Sequence, residues 1–169
     1  MIESFASEFG ANLDMPWQVW LSRLLGAAVF CGLIGFEREI DRQPAGLRTH
    51  ILIGLAAATY CIMTMHIVRS VDFNDDQVRT DPVRVIEAVT QGVAFLAAGL
   101  VVFARGRVRG LTTGTTMWLS AAVGVACGLG LWMLALAVTA IAVAVITLIR
   151  LLEKKTGTYD GGHQPPEQQ

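Results

Sequence analysis

Three clusters of charged and hydroxyl side chains stand at the edges of long apolar runs. They are Glu37-Arg38-Glu39, Arg48-Thr49-His50, and Arg107 and Arg109 followed by Thr112 and Thr113. Carboxylates, guanidiniums and hydroxyls at the rim of an apolar layer suit electrostatic work: holding a small ion, a lipid headgroup or the polar group of a partner helix. The plainer alternative is ion pairs that tie loop ends together and charges that fix topology. Glu37 closes one apolar run and Arg48 opens the next across a short loop, so these two are expected to be neighbours. A fourth group, Asp81, Arg84, Glu87 and Gln91, opens another apolar run. Arg84 and Glu87 are three residues apart and able to pair on one helix face. Glu87 and Gln91 are the polar groups placed nearest membrane depth, where a carboxylate is a functional candidate by default.

Other chemistry finds no footing. No serine stands in a nucleophile elbow, and no glycine-rich loop ends in Lys-Ser or Lys-Thr. No Cys/His spacing resembles a zinc site, and Cys31, Cys61 and Cys127 lie inside apolar runs, where thiols are buried. Asp72, Asp75 and Asp76 offer hard oxygen ligands to magnesium, but in a loop nothing sets an octahedral geometry, so no metal is assigned. An enzyme is therefore not expected, nor a cofactor. A net charge of -1, with the basic residues dispersed, also gives no case for nucleic acid.

The elements that must position these groups are membrane helices. Hydrophobic residues make up 53% of the chain and charged ones 16%, against about a quarter charged in an ordinary soluble domain. Residues 1–16 form a polar N-terminal segment without the basic start of a signal peptide. One membrane domain is expected over 17–152, and a flexible polar tail over 153–169. The fold class is all-α, a polytopic transmembrane bundle of about five spans over 17–36, 47–68, 83–104, 112–128 and 131–152. Arg23, near the start of the first span, is expected to snorkel toward the headgroups. Asp81-Pro82 reads as an N-cap followed by proline at the first helical position. The stretch from Gly114 to Leu152 would overshoot a hydrocarbon core of about 30 Å as one helix. A break at Cys127-Gly-Leu-Gly130 makes five spans, and without it there are four.

Lysine and arginine counts orient the chain. With five spans, one side collects Arg38, Arg42, Arg48, Arg105, Arg107, Arg109, Arg150, Lys154 and Lys155; the other collects Arg23, Arg69, Arg79 and Arg84. The excess places the N-terminus outside and the C-terminus inside.

The segment Gly32-Leu-Ile-Gly-Phe-Glu-Arg-Glu39, followed by Pro44-Ala-Gly-Leu-Arg-Thr-His50, resembles the MgtC/SapB family of bacterial membrane proteins. Asp81-Pro-Val-Arg84, Gly92-Val-Ala-Phe-Leu-Ala-Ala-Gly99, Arg109-Gly-Leu-Thr-Thr113 and Trp118-Leu-Ser-Ala-Ala122 extend the likeness over about residues 20–135. The resemblance implies an inner-membrane protein of about five spans with a periplasmic N-terminus and a cytoplasmic C-terminus. It marks Glu37, Arg38, Glu39, Arg48, Thr49, Asp81, Arg84, Arg109, Thr112 and Thr113 as the family's polar positions. Alanines stand at 94 and 97, where glycine is usual, and at 88, where glutamine is common. The soluble C-terminal domain of the family's namesake is not matched before Gln169.

Two functions follow as expectations. The first is a regulator whose helices bind another membrane protein, such as an ATPase or a transporter, in magnesium or acid stress. Its small-residue faces would be Gly26, Gly32, Gly35, Gly92 and Gly99. The second is a small magnesium or proton transporter or channel using the membrane-edge carboxylates and Glu87. The lipid bilayer is the partner in either case, and a homo-oligomer suits both.

Overall fold

A computed structural model describes residues 15–70, 83–104 and 107–156, and these fold into five α-helices and one short hairpin. The helices are α1 (Trp17–Ile40), α2 (Leu47–Ser70), α3 (Val83–Leu100), α4 (Leu111–Leu129) and α5 (Trp132–Thr156). Four of them, α1, α2, α3 and α5, are long and apolar enough to cross a membrane. The architecture is all-α and multi-pass, as the apolar runs predict.

The remaining helix is the innermost. Threonines at 112, 113, 115 and 116 dilute the apolar character of α4, yet eleven of its nineteen residues are buried. It packs against α1, α2, α3 and α5 alike. A helix enclosed by other helices has little need of a lipid-facing apolar surface.

Close contact between α2 and α4 fixes the centre. Gly124 and Gly128, one turn apart on α4, lie against Gly54, Ala57, Ala58 and Cys61 of α2. A Cβ on Gly124 would overlap the Gly54 carbonyl oxygen and come within 2.8 Å of the Gly54 Cα. One on Gly128 would meet the Ala58 carbonyl oxygen and the Cys61 Cβ at 2.8 Å. This is the small-xxx-small packing by which membrane helices bring backbones together. Around it lie Ala27, Cys31 and Ile34 of α1 with Val123, Ala126 and Cys127 of α4, and Ala135 and Ala142 of α5. All three cysteines are buried free thiols.

The long apolar stretch after residue 110 does break. Gly130 takes φ 79 and ends α4, its N–H bonding back to Cys127 O at 2.9 Å. The left-handed conformation is nearly free for glycine and costly for other residues, which is why the chain turns there. Arg23 finishes this end: its Nη1 donates to the Gly128 carbonyl at 2.7 Å. The expected snorkelling arginine instead satisfies a helix-terminal carbonyl, where a cation also complements the helix dipole.

The third helix stops at Leu100, four residues before the expected end. Val102–Ala104 and Arg107–Arg109 then pair antiparallel as strands β1 and β2, with Phe103 opposite Val108. The β-branched and aromatic residues here favour strand over helix, and Gly110, at φ 86, reverses the chain into α4. Arg107 and Arg109 thus lie on a short strand between two helices.

Candidate functional site

Glu37 and Arg38 sit in the last turn of α1, and both are buried, at 7% and 5% exposure. The partner of Glu37 is not the expected Arg48, which is exposed at the first turn of α2. It is Arg150, from the far end of the chain. Arg150 Nη1 donates to Asp41 Oδ1 at 3.1 Å and lies 3.3 Å from Glu37 Oε1. The second approach is within ion-pair distance but off the line of a hydrogen bond, so neither Glu37 oxygen has a hydrogen-bond donor. One guanidinium thus lies between two carboxylates one helical turn apart, clamping the C-terminal part of α5 to the end of α1.

The loop after α1 is tied down by the neighbouring residues. Glu39 Oε2 accepts the Leu47 N–H at 3.0 Å and satisfies one of the free donors at the start of α2. Fully buried His50 donates from Nδ1 to the Gly46 carbonyl at 2.8 Å, and its Nε2 meets Thr116 Oγ1 at 3.2 Å. Thr113, also buried, reaches Gln43 Oε1 at 3.5 Å. These contacts put the α1–α2 loop, the start of α4 and the C-terminal part of α5 at one end of the bundle.

Beside this network a cleft of about 730 Å³ opens between α4 and α5. Arg38, Asp41, Gln43, Thr112, Thr115, Thr116 and Arg150 line its polar end. Leu119 and an apolar face of α5 from Val138 to Ile149 line the rest. Among the described residues, Arg38 makes no side-chain hydrogen bond, and its buried Nε has no acceptor. A guanidinium with unused donors beside an apolar track is chemistry for an anion carried on an apolar body.

The predicted residues therefore divide. Glu37, Arg38, Glu39, Thr112 and Thr113 come together at one end of the bundle. Arg48 is exposed and Thr49 half-buried beside them. Arg109 lies in β2 at that end, and Asp81 lies outside the described residues, as do Asp72, Asp75 and Asp76. Arg84, Glu87 and Gln91 all lie on exposed positions of α3, and no ion pair joins Arg84 to Glu87 among the described residues. Sequence reasoning missed Asp41 and Arg150 as members of the cluster. Two signals pointed to them: Asp41 follows Glu37 by one turn, and Arg150 is the first charge on the helical face that carries Ala142 and Ile146. No group of three His, Cys, Asp or Glu able to hold a metal occurs among the described residues.

Helix α3 is the least enclosed. Val93 is its one buried residue, Phe95 is 79% exposed, and a Cβ on Gly92 or Gly99 would meet nothing within 4 Å. Gly26, Gly32 and Gly35 are spent inside the chain, against Trp132, Ile51 and the Leu47 backbone respectively. Of the five expected small-residue positions for a partner, only the two on α3 remain open.

Residues 24–155 match the MgtC family. The chain is 43% identical over 108 residues to Protein MgtC of Brucella abortus, covering 64% of this chain and 42% of the relative. It is 38% identical over 113 residues to YhiD of Escherichia coli K12, named as a candidate magnesium transporter, covering 67% and 52%. An uncharacterised Synechocystis protein is 38% identical over 117 residues, covering 69% and 46%. The chain spans about half the length of the curated relatives it matches. No solved structure matches it.

Proposed function

The chain belongs to the MgtC family, and from that premise we propose that it is a non-catalytic inner-membrane protein that binds another membrane protein, an ATPase or a transporter, in adaptation to low magnesium or stress. The observation that carries this reading is the outer face of α3. Gly92 and Gly99 lie on one stripe with open space above them, and Glu87 and Gln91 are exposed on the adjoining side of the helix. Polar groups facing lipid cost free energy, and a partner helix on the glycines gains close backbone packing and brings its own side chains toward them.

Reconstitution tests the reading. Liposomes holding only this protein are expected to pass neither magnesium nor protons under gradients of either sign. In native membranes, a photo-crosslinking amino acid placed at position 99 is expected to form an adduct with a second protein. The same amino acid at position 29, on the exposed side of α1, is expected to form none. Gly92→Leu with Gly99→Leu should weaken the association about tenfold, the scale of lost helix packing in a membrane. Magnesium or proton flux that disappears in Glu87→Ala at equal reconstitution would instead make the chain a transporter. An adduct of two identical chains would make the partner a second copy.

We place the Glu37 end of the bundle in the cytoplasm and the N-terminus in the periplasm. The support is that Arg38, Arg42, Arg48 and Arg150 share that end, as the positive-inside rule requires of the cytoplasmic side. An Arg48→Cys variant is expected to escape an impermeant thiol reagent applied to spheroplasts and to react after the membrane is opened. Labelling in intact spheroplasts would reverse the orientation.

A further inference from the structure

We propose that the cleft between α4 and α5 binds an acidic phospholipid, with its phosphate against Arg38 and one acyl chain along α5. Three observations carry this, and none involves the α3 face.

The first is the state of Arg38. Its side chain is 5% exposed, lines the cleft and makes no hydrogen bond among the described residues. The neighbouring cation, Arg150, is already held by Glu37 and Asp41. Glu37 and Asp41 balance the Arg38 charge together with that of Arg150, but neither hydrogen-bonds to Arg38, so its donors are unused. A guanidinium offers five donors in a fixed fork that fits phosphate oxygens. Gln43 and Thr112 line the same end, and the Gln43 amide nitrogen and the Thr112 hydroxyl add neutral donors.

The second is the way polarity is distributed. All the charge lies at the end of the cleft nearest the loop, at the membrane edge. Inward from it the α5 wall is apolar from Val138 to Ile149, about 16 Å of helix at 1.5 Å per residue. A headgroup at the edge and a chain running toward the bilayer centre reproduce this order. A free phosphate would leave the apolar wall unused.

The third is size. At about 730 Å³, the cleft lies within the usual range for small-molecule pockets, room for part of a lipid.

Native mass spectrometry of the whole detergent-solubilised protein tests this, with phosphatidylglycerol, phosphatidylcholine or inorganic phosphate added separately. One phosphatidylglycerol per chain is expected to stay bound, phosphatidylcholine to bind much more weakly, and phosphate alone not at all. Arg38→Gln should lower phosphatidylglycerol retention about tenfold or more, the scale of a lost charge-assisted hydrogen bond. Val145→Trp fills the exposed apolar track without touching a charge and should do the same, so the test survives if the first variant does not fold. Equal retention of the two lipids, unchanged retention in Val145→Trp, or no lipid at all would overturn the proposal. Binding of inorganic phosphate alone would reassign the cleft to a free anion. A pair of chains in place of chain plus lipid would assign it to a second copy.

Discussion

Gly124→Val is expected to leave almost no folded protein in the membrane. Any side chain at this position must overlap the Gly54 carbonyl, and Gly54 cannot retreat, because its own Cα faces the Cys31 side chain of α1. Three helices are therefore stacked with backbone or small side chains between them. Overpacking a rigid site costs about 3 kcal/mol or more when backbones must separate, a large part of the stability of an ordinary domain. Gly99→Val provides the matched control: the same change of volume, one helix away, into open space. Detergent size-exclusion with a thermal ramp reads both. The Gly124 variant should aggregate or be lost to proteolysis, and the Gly99 variant should melt within a few degrees of the unaltered chain. Equal melting of the two would mean that α2 and α4 do not meet at these glycines.

Arg150→Met is the second large effect. Its charge lies between Glu37 and Asp41, whose side chains are 9% and 10% exposed. Removing it strands two carboxylates in a poorly solvated site, and breaking a buried pair from one side costs about 3 kcal/mol or more. The partial exposure of Arg150 itself, 21%, puts the expectation at the lower end. Arg48→Met removes the same charge from an exposed position and should change stability by no more than about 0.5 kcal/mol. The informative variant is the combination Glu37→Gln and Arg150→Met. It removes one charge of each sign and leaves Asp41 to balance the buried Arg38, so much of the lost stability should return, since the deficit is the unpaired carboxylate and not the missing contact. If Arg150→Met melts like Arg48→Met, the clamp between α1 and α5 does not exist in the membrane.

The α3 face and the cleft divide the remaining expectations between them. Lipid binding depends on Arg38 and the α5 wall, and partner binding depends on Gly92, Gly99 and the polar residues of α3. Loss of one with retention of the other separates a lipid-held scaffold from a partner-binding surface.

By itself the sequence determined that the chain crosses a membrane, where its long helices run, and that the stretch after residue 110 must break near Gly130. Those features are local: apolar length, a glycine able to turn left-handed, and a proline or glycine between runs. Glu37 and Arg38 were also legible as candidates, because charges at the rim of an apolar run stand out along the chain. Three things were decided only by tertiary structure: the pairing of Glu37 with Arg150 in place of Arg48, the enclosure of α4, and the choice of Gly124 and Gly128 as the central contact. The physical reason is the solvent. In water an amphipathic period tells the buried face of a helix from the exposed one. In lipid both faces are apolar, and that period falls silent. What then sorts the helices is close packing at small residues and the matching of the few polar groups across the bundle, and those partners can lie more than a hundred residues apart.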